Sequence, residues 1–280
     1  MRKLMILLLC CWILPTTAQN LDAVIAKLKE DIPGQVVNPQ TTQELAKLFE
    51  GATELTVPRI FVDKLPSDFA LKGNPNLYTH VITALILRSN EQAVREKMIL
   101  TVLKNKYDHK EKWTPTEESF FHEMVEKYDV IVTKTIATQL EQLSIKIDEI
   151  VPGLAVAQSV YATDWGTKNM NHPYGQMGWI DEQTYDELPY DSLLAATEAY
   201  VKEMNSAPNY WMWRLRRQKA THRGTRNRLA FILAGSLYVY RPEDPYYSAT
   251  IQKIITSNKP LSQLYEASFL EDNETTQTGR

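Results

Sequence analysis

Apolar residues recur at helical intervals through most of the chain. Leu21, Val24, Ile25 and Leu28 are spaced for one face of a helix over 20–31, with Asn20 as cap and Pro33-Gly34 as its end. Thr41-Thr-Gln-Glu44 has the form of a capping box ahead of Leu45, Leu48 and Phe49. Residues 55–69 read as extended, punctuated by Pro58 and Pro66. Leu77, His80, Val81, Ala84, Leu85 and Leu87, then Val94, Met98, Leu100 and Val102, predict one long helix or a broken pair over 76–106. Thr114-Pro-Thr-Glu117 predicts a second capping box, with Pro115 at the first helical position of a helix reaching 128. Further helices are expected over 138–147, over 192–204 with Asp191 as cap, over 229–240, and from Asp244-Pro245 to Asn258 and Pro260. The predicted fold class is therefore mainly α.

One stretch, Val151 to Gly166, is apolar on more than one side, as a helix with no wet face must be. Pro152 suits a first helical turn, Ala155, Ala157 and Ala162 allow close approach of neighbours, and Gly166 is a stop signal after Trp165. The segment 209–219 is aromatic and basic, with Tyr210, Trp211, Trp213, Arg214, Arg216, Arg217 and Lys219. It reads either as a sugar- and carboxylate-binding patch or as a helix with buried tryptophans and a solvated basic face. His80 lies on an apolar face and is expected as a hydrogen-bonded boundary residue. His122-Glu123 is followed by Glu126, where the zinc-protease spacing needs a second histidine.

Composition adds a compartment. The first 18 residues read as a secretory signal: Arg2 and Lys3, the apolar run Leu4 to Leu14, and small residues at Thr16 and Ala18 before a cut ahead of Gln19. The run is too short to span a bilayer comfortably, so no membrane span is expected after cleavage, and the mature protein is expected in the periplasm or outside the cell. Cys10 and Cys11 leave with the signal, and with them any disulfide or thiolate chemistry. Formal net charge is −3 over 280 residues, which argues against a nucleic-acid partner. There is no P-loop or Gly-rich phosphate cradle, and neither a cofactor nor a metal is implied.

Ala157-Gln158 followed by Trp165-Gly166 resembles the A-Q-x-x-x-E-S-x-W-G segment of the bacterial glucosaminidase family, which includes flagellar muramidases and Bax-type proteins. Asn171-His-Pro-Tyr174-Gly175 is similar to the family's N-x-x-F-G, and Tyr190-Asp-Ser192 with Ala199-Tyr-Val201 to its Y-x-S…A-Y helix. Tyr240-Arg-Pro-Glu-Asp-Pro-Tyr-Tyr247 resembles its closing tyrosine segment, and Pro58 to Pro66 with Leu85 to Asn90 resembles the Bax-type leader. The resemblance implies a lysozyme-like helical fold with a reduced β lobe that acts on peptidoglycan glycan strands. With the signal at 1–18 and a polar, disordered tail expected at 261–280, the resemblance divides the rest into a helical N-terminal extension at 19–130, with the leader from about 58, and a glucosaminidase-like domain at 131–260. Gln158, Trp165, Tyr174, Tyr240 and Tyr247 would line the glycan groove.

Without a gap between the two halves of the first motif, the family's catalytic Glu falls on Ala162. Glycosidic hydrolysis needs a proton donor within hydrogen-bond reach of the leaving oxygen, and a methyl group is none. Asp164 is the fallback acid, with Asp181, Glu182, Asp186 and Glu187 the others available. Three functions follow: a degenerate, non-cleaving domain that binds a glycan strand or a cell-wall enzyme; an active hydrolase using Asp164 or an acid of 181–187; or a protein-interaction module without glycan contact.

Overall fold

The computed structural model describes residues 21–28, 30, 32–72, 74–170, 172–175, 179–180, 187–188, 190–222 and 228–270. Among them the chain is mainly helical. In order come α1 (Leu21–Leu28), β1 (Gln35–Val37), α2 (Thr42–Leu48), β2 (Thr56–Val57), β3 (Ile60–Val62), α3 (Phe69–Lys72), α4 (Pro75–Asp108), α5 (Pro115–Lys127), α6 (Ile136–Lys146) and α7 (Pro152–Thr163). There follow β4 (Trp179–Ile180), β5 (Glu187–Leu188), α8 (Leu193–Ser206), α9 (Trp211–His222), α10 (Leu229–Ala234), α11 (Tyr247–Ser257), α12 (Lys259–Gln263) and β6 (Ser268–Phe269). The strands form three two-stranded pairs: β1 with β3 and β2 with β6 parallel, β4 with β5 antiparallel.

The described residues divide into two compact units, one within Met1–Asp31 and Arg95–Ser144, the other within Ile32–Val94 and Ile145–Arg280. This differs from a partition at 130/131: the long helix α4 contributes its first part to one unit and its second to the other. In the smaller unit, buried Glu117 completes the capping box at Thr114 and takes the Lys106 ammonium at 2.6 Å. Buried Glu96 accepts from Lys127 Nζ and Tyr128 Oη, both at 2.6 Å. Thr114 Oγ1 donates to Asp22 at 2.6 Å, tying α1 to the start of α5.

The larger unit is built around α7, whose residues 152–160 are all buried. Its position 153 must be glycine: an added Cβ would stand 2.0 Å from the carbonyl oxygen of Leu261. That contact corrects the expected tail. Leu261, Leu264 and Ala267 are buried against the same core, and β6 pairs with β2, so 261–270 is packed structure. Residues 271–280 lie outside the described residues, as do the expected signal peptide and Asn20.

Two other expectations change. The helix expected over 229–240 stops at Ala234, where Gly235 and Ser236 break it before a 3-10 turn at Leu237–Val239. Helix α8 is capped by Ser192, whose hydroxyl accepts the Ala195 N–H at 3.1 Å, rather than by Asp191. His80 is half-buried and stacks on Phe49.

Candidate functional site

Helix α7 ends in a tight, left-handed turn. Asp164, Trp165 and Gly166 have φ of 49°, 59° and 77°, and Asn169 follows at 52°. Each non-glycine residue so placed costs about 1–2 kcal/mol, and the surroundings over-determine the turn. Thr163 is its hub: its carbonyl accepts the N–H groups of Thr167 and Lys168, both at 3.0 Å, and its hydroxyl accepts Gly166 N–H at 3.0 Å. Gly166 packs so closely that a Cβ would meet the Tyr78 ring at 2.6 Å. The Tyr78 hydroxyl bonds to Ser159 and Thr163 at 2.6 and 2.9 Å, and burial pushes its pKa up to about 12.

Ala162 is half-buried just before this turn, its carbonyl accepting from Asn169 Nδ2 at 3.2 Å. No carboxyl replaces it on its own helix. Asp164 is 61 % exposed, two residues on, with its carboxylate 3.4 Å from the Lys168 ammonium. The carboxylate held against this end of α7 is Asp244. It accepts the Tyr161 hydroxyl at 2.6 Å and the Tyr246 N–H at 2.9 Å, and these bonds hold its pKa below the usual carboxylate range. The same bond, with burial, raises the pKa of Tyr161. A carboxylate stabilised in its charged form accepts hydrogen bonds but is a poor proton donor at neutral pH.

Four of the five groove residues expected from the sequence, Gln158, Tyr174, Tyr240 and Tyr247, are brought together, but packed into or against the core. Gln158 is 0 % exposed: its Oε1 accepts from Tyr200 Oη at 2.7 Å and its Nε2 donates to Tyr247 Oη at 3.0 Å. Tyr247 is likewise 0 % exposed. Tyr174, 1 % exposed, stacks on Tyr200 with ring centroids 4.3 Å apart and hydrogen-bonds Thr197 at 2.9 Å. Tyr240 stacks on Tyr247 at 5.5 Å and donates to the Tyr174 carbonyl at 3.0 Å. Burial raises the pKa of Tyr174, Tyr200, Tyr240 and Tyr247, which keeps these hydroxyls neutral donors. The physical reason for the correction is matching. A carboxamide is both donor and acceptor, and two buried phenols facing it satisfy both ends. Of the five expected groove residues only Trp165 and Tyr240 keep partial exposure, and both pack against the core.

Part of the aromatic and basic segment is also turned inward, while Arg216 and Lys219 stay exposed. Trp213, Arg214 and Arg217 are buried. Arg217 donates to Asn205 Oδ1 at 2.8 Å and to the Lys146 carbonyl at 3.1 Å, and Arg214 to the Met204 carbonyl at 3.1 Å. Burial, with Arg217 nearby, pulls the Arg214 pKa down to about 10. These cations serve helix C-termini, whose carbonyls lack partners within the helix, so the patch reading does not hold for them.

Sequence reasoning missed the Tyr161–Asp244 pair and the partners of Gln158. Tyr161 directly precedes Ala162 and Asp244 lies in the tyrosine-rich segment 240–247, but nothing in either stretch gives their distance. Asp181, Glu182 and Asp186 lie outside the described residues, and Glu187 falls in β5. Among the described residues no cluster of three or more His, Cys, Asp or Glu is placed to hold a metal, and no helix is long and apolar enough to cross a membrane.

An open space lies beside this end of α7. A cleft of about 470 Å³ runs between residues 63–70, the turn residues 166–170 and the entry to α8 at 190–193. None of Gln158, Ala162, Asp164, Trp165, Tyr174, Tyr240 or Tyr247 lines it. Comparison with protein-family models, with curated proteins and with solved structures gives no match.

Proposed function

We propose that this chain is a non-cutting, peptidoglycan-associated protein on a glucosaminidase-like scaffold. One feature carries the reading: the resemblance puts the Ala162 methyl where hydrolysis needs a proton donor, while Asp164, two residues on, is exposed beside Lys168, and Asp244, bound by Tyr161 and the Tyr246 N–H, has its pKa lowered. General acid catalysis supplies ~10²–10⁴-fold in rate, so its loss removes most of the cutting. The expected leader at 1–18 fits delivery to the periplasm or beyond. The test is incubation with purified sacculi, following sedimentation and new reducing ends together. The expected result is sedimentation without reducing ends. Cutting by the wild type that disappears in Asp164→Asn would reject the reading. Ala162→Glu is expected to gain weak cutting, since it returns a carboxyl to a half-buried position.

A second reading, a protein-interaction module with no glycan contact, draws on the burial of Gln158, Tyr174 and Tyr247. It predicts that the protein stays in the supernatant.

A further inference from the structure

The 470 Å³ cleft falls within the size range of small-ligand sites, ~300–1,000 Å³. Its lining contrasts floor with rim. Pro66, Phe69 and Leu193 are buried beneath it, with the turn at Gly166. At the rim stand Lys64 and Asp191, both exposed, neither with an ion-pair or hydrogen-bond partner among the described residues. The walls are held before any ligand arrives. Ser192 Oγ donates to the Asp63 carboxylate and Leu193 N–H to the Asp63 carbonyl at 2.7 Å, joining two of the three sides. The third side is the left-handed turn fixed by Thr163. Backbone held in sparsely populated conformations by its surroundings clusters at ligand sites, and here it forms a wall of the cleft.

A cleft with a largely polar lining whose rim carries, among the described residues, an unpaired cation at Lys64 and an unpaired anion at Asp191 suits a small polar ligand with both charges. We propose that this cleft binds short peptides carrying a free carboxylate and a free amine, with Lys64 taking the carboxylate and Asp191 the ammonium. That the natural source is the stem peptide of peptidoglycan rests on the function proposed above; the complementarity of the cleft does not.

The test is calorimetric titration of the full chain with the free tripeptide alanyl-glutamyl-diaminopimelate, with the same peptide acetylated at its amines and amidated at its carboxyls, and with a chitotetraose. Binding of the free peptide and not the blocked one is expected, with Lys64→Gln and Asp191→Asn each weakening it about tenfold, the size of one lost charge-assisted contact. Both positions are exposed, so circular dichroism of the variants should match the wild type. Absence of binding, equal binding of the blocked peptide, or unchanged affinity in both variants overturns the proposal. Sedimentation with sacculi but no peptide binding removes the cleft assignment alone. Peptide binding without sedimentation keeps the cleft and removes the wall reading.

Discussion

Replacing Gln158 with leucine separates a core residue from a groove residue. The side chains are close in volume, so the substitution leaves little cavity and removes two hydrogen bonds, from Tyr200 at 2.7 Å and to Tyr247 at 3.0 Å. Tyr200 loses its acceptor while fully buried, and a stranded buried hydroxyl costs about 1–3 kcal/mol. Tyr247 loses a donor and keeps its own proton, so its share is smaller. The sum is about 2–4 kcal/mol, or ~4–16 °C in Tm for a unit of this size at ~2–4 °C per kcal/mol. Urea unfolding followed by near-ultraviolet circular dichroism reads this as a lower midpoint at unchanged slope. Adding Tyr200→Phe to Gln158→Leu should recover part of the loss, because removing both members of a buried pair costs less than removing one. A midpoint within ~0.5 kcal/mol of wild type, with ligand binding abolished, would falsify the assignment of Gln158 to the core.

Three further outcomes are expected. Gly153→Ala should destabilise by about 1–3 kcal/mol through the clash with Leu261, although alanine gains ~1 kcal/mol in helix propensity; a more stable variant in thermal unfolding would refute the close approach. Tyr78 is raised from 10.0 to about 12, and Tyr174, Tyr200, Tyr240 and Tyr247 are raised also. The unfolded chain therefore releases these protons first. Their contribution to stability is complete below pH 10 and is lost as pH rises through the folded values, so tyrosinate absorbance and loss of ellipticity should rise together above pH 10, and independent early titration of these tyrosines would contradict it. Tyr161→Phe removes the main cause of the depressed Asp244 pKa, so the carboxyl titration seen by NMR should move up toward 3.8; no movement would mean the hydrogen bond is not formed in solution.

What the sequence reveals and what it hides divides along the range of the interactions. Helix α7 was legible because its signals are local: Pro152 at the first turn, the small residues, and a stop at Gly166. So was the box at Thr114, where both reciprocal bonds form. At Thr41 only half of it forms, since Glu44 reaches back to the N–H of Gln40 instead. The orientation of α7 was not legible. Gln158 lies on the face that spacing pairs with position 162, and only contacts with residues 200 and 247, 42 and 89 positions away, decide that it is sealed. The same holds for residues 261–264, which look like the start of a polar tail until Gly153 provides a seat for them.

The pairing of Thr56–Val57 with Ser268–Phe269 sets a timetable for biogenesis. The earlier strand leaves the ribosome without its mate, which follows only after roughly 200 more residues, ~10–40 s at ~5–20 residues/s. Until then an unpaired edge is open to the wrong neighbour, and a nascent protein cut short just before position 268 would carry that vulnerability permanently.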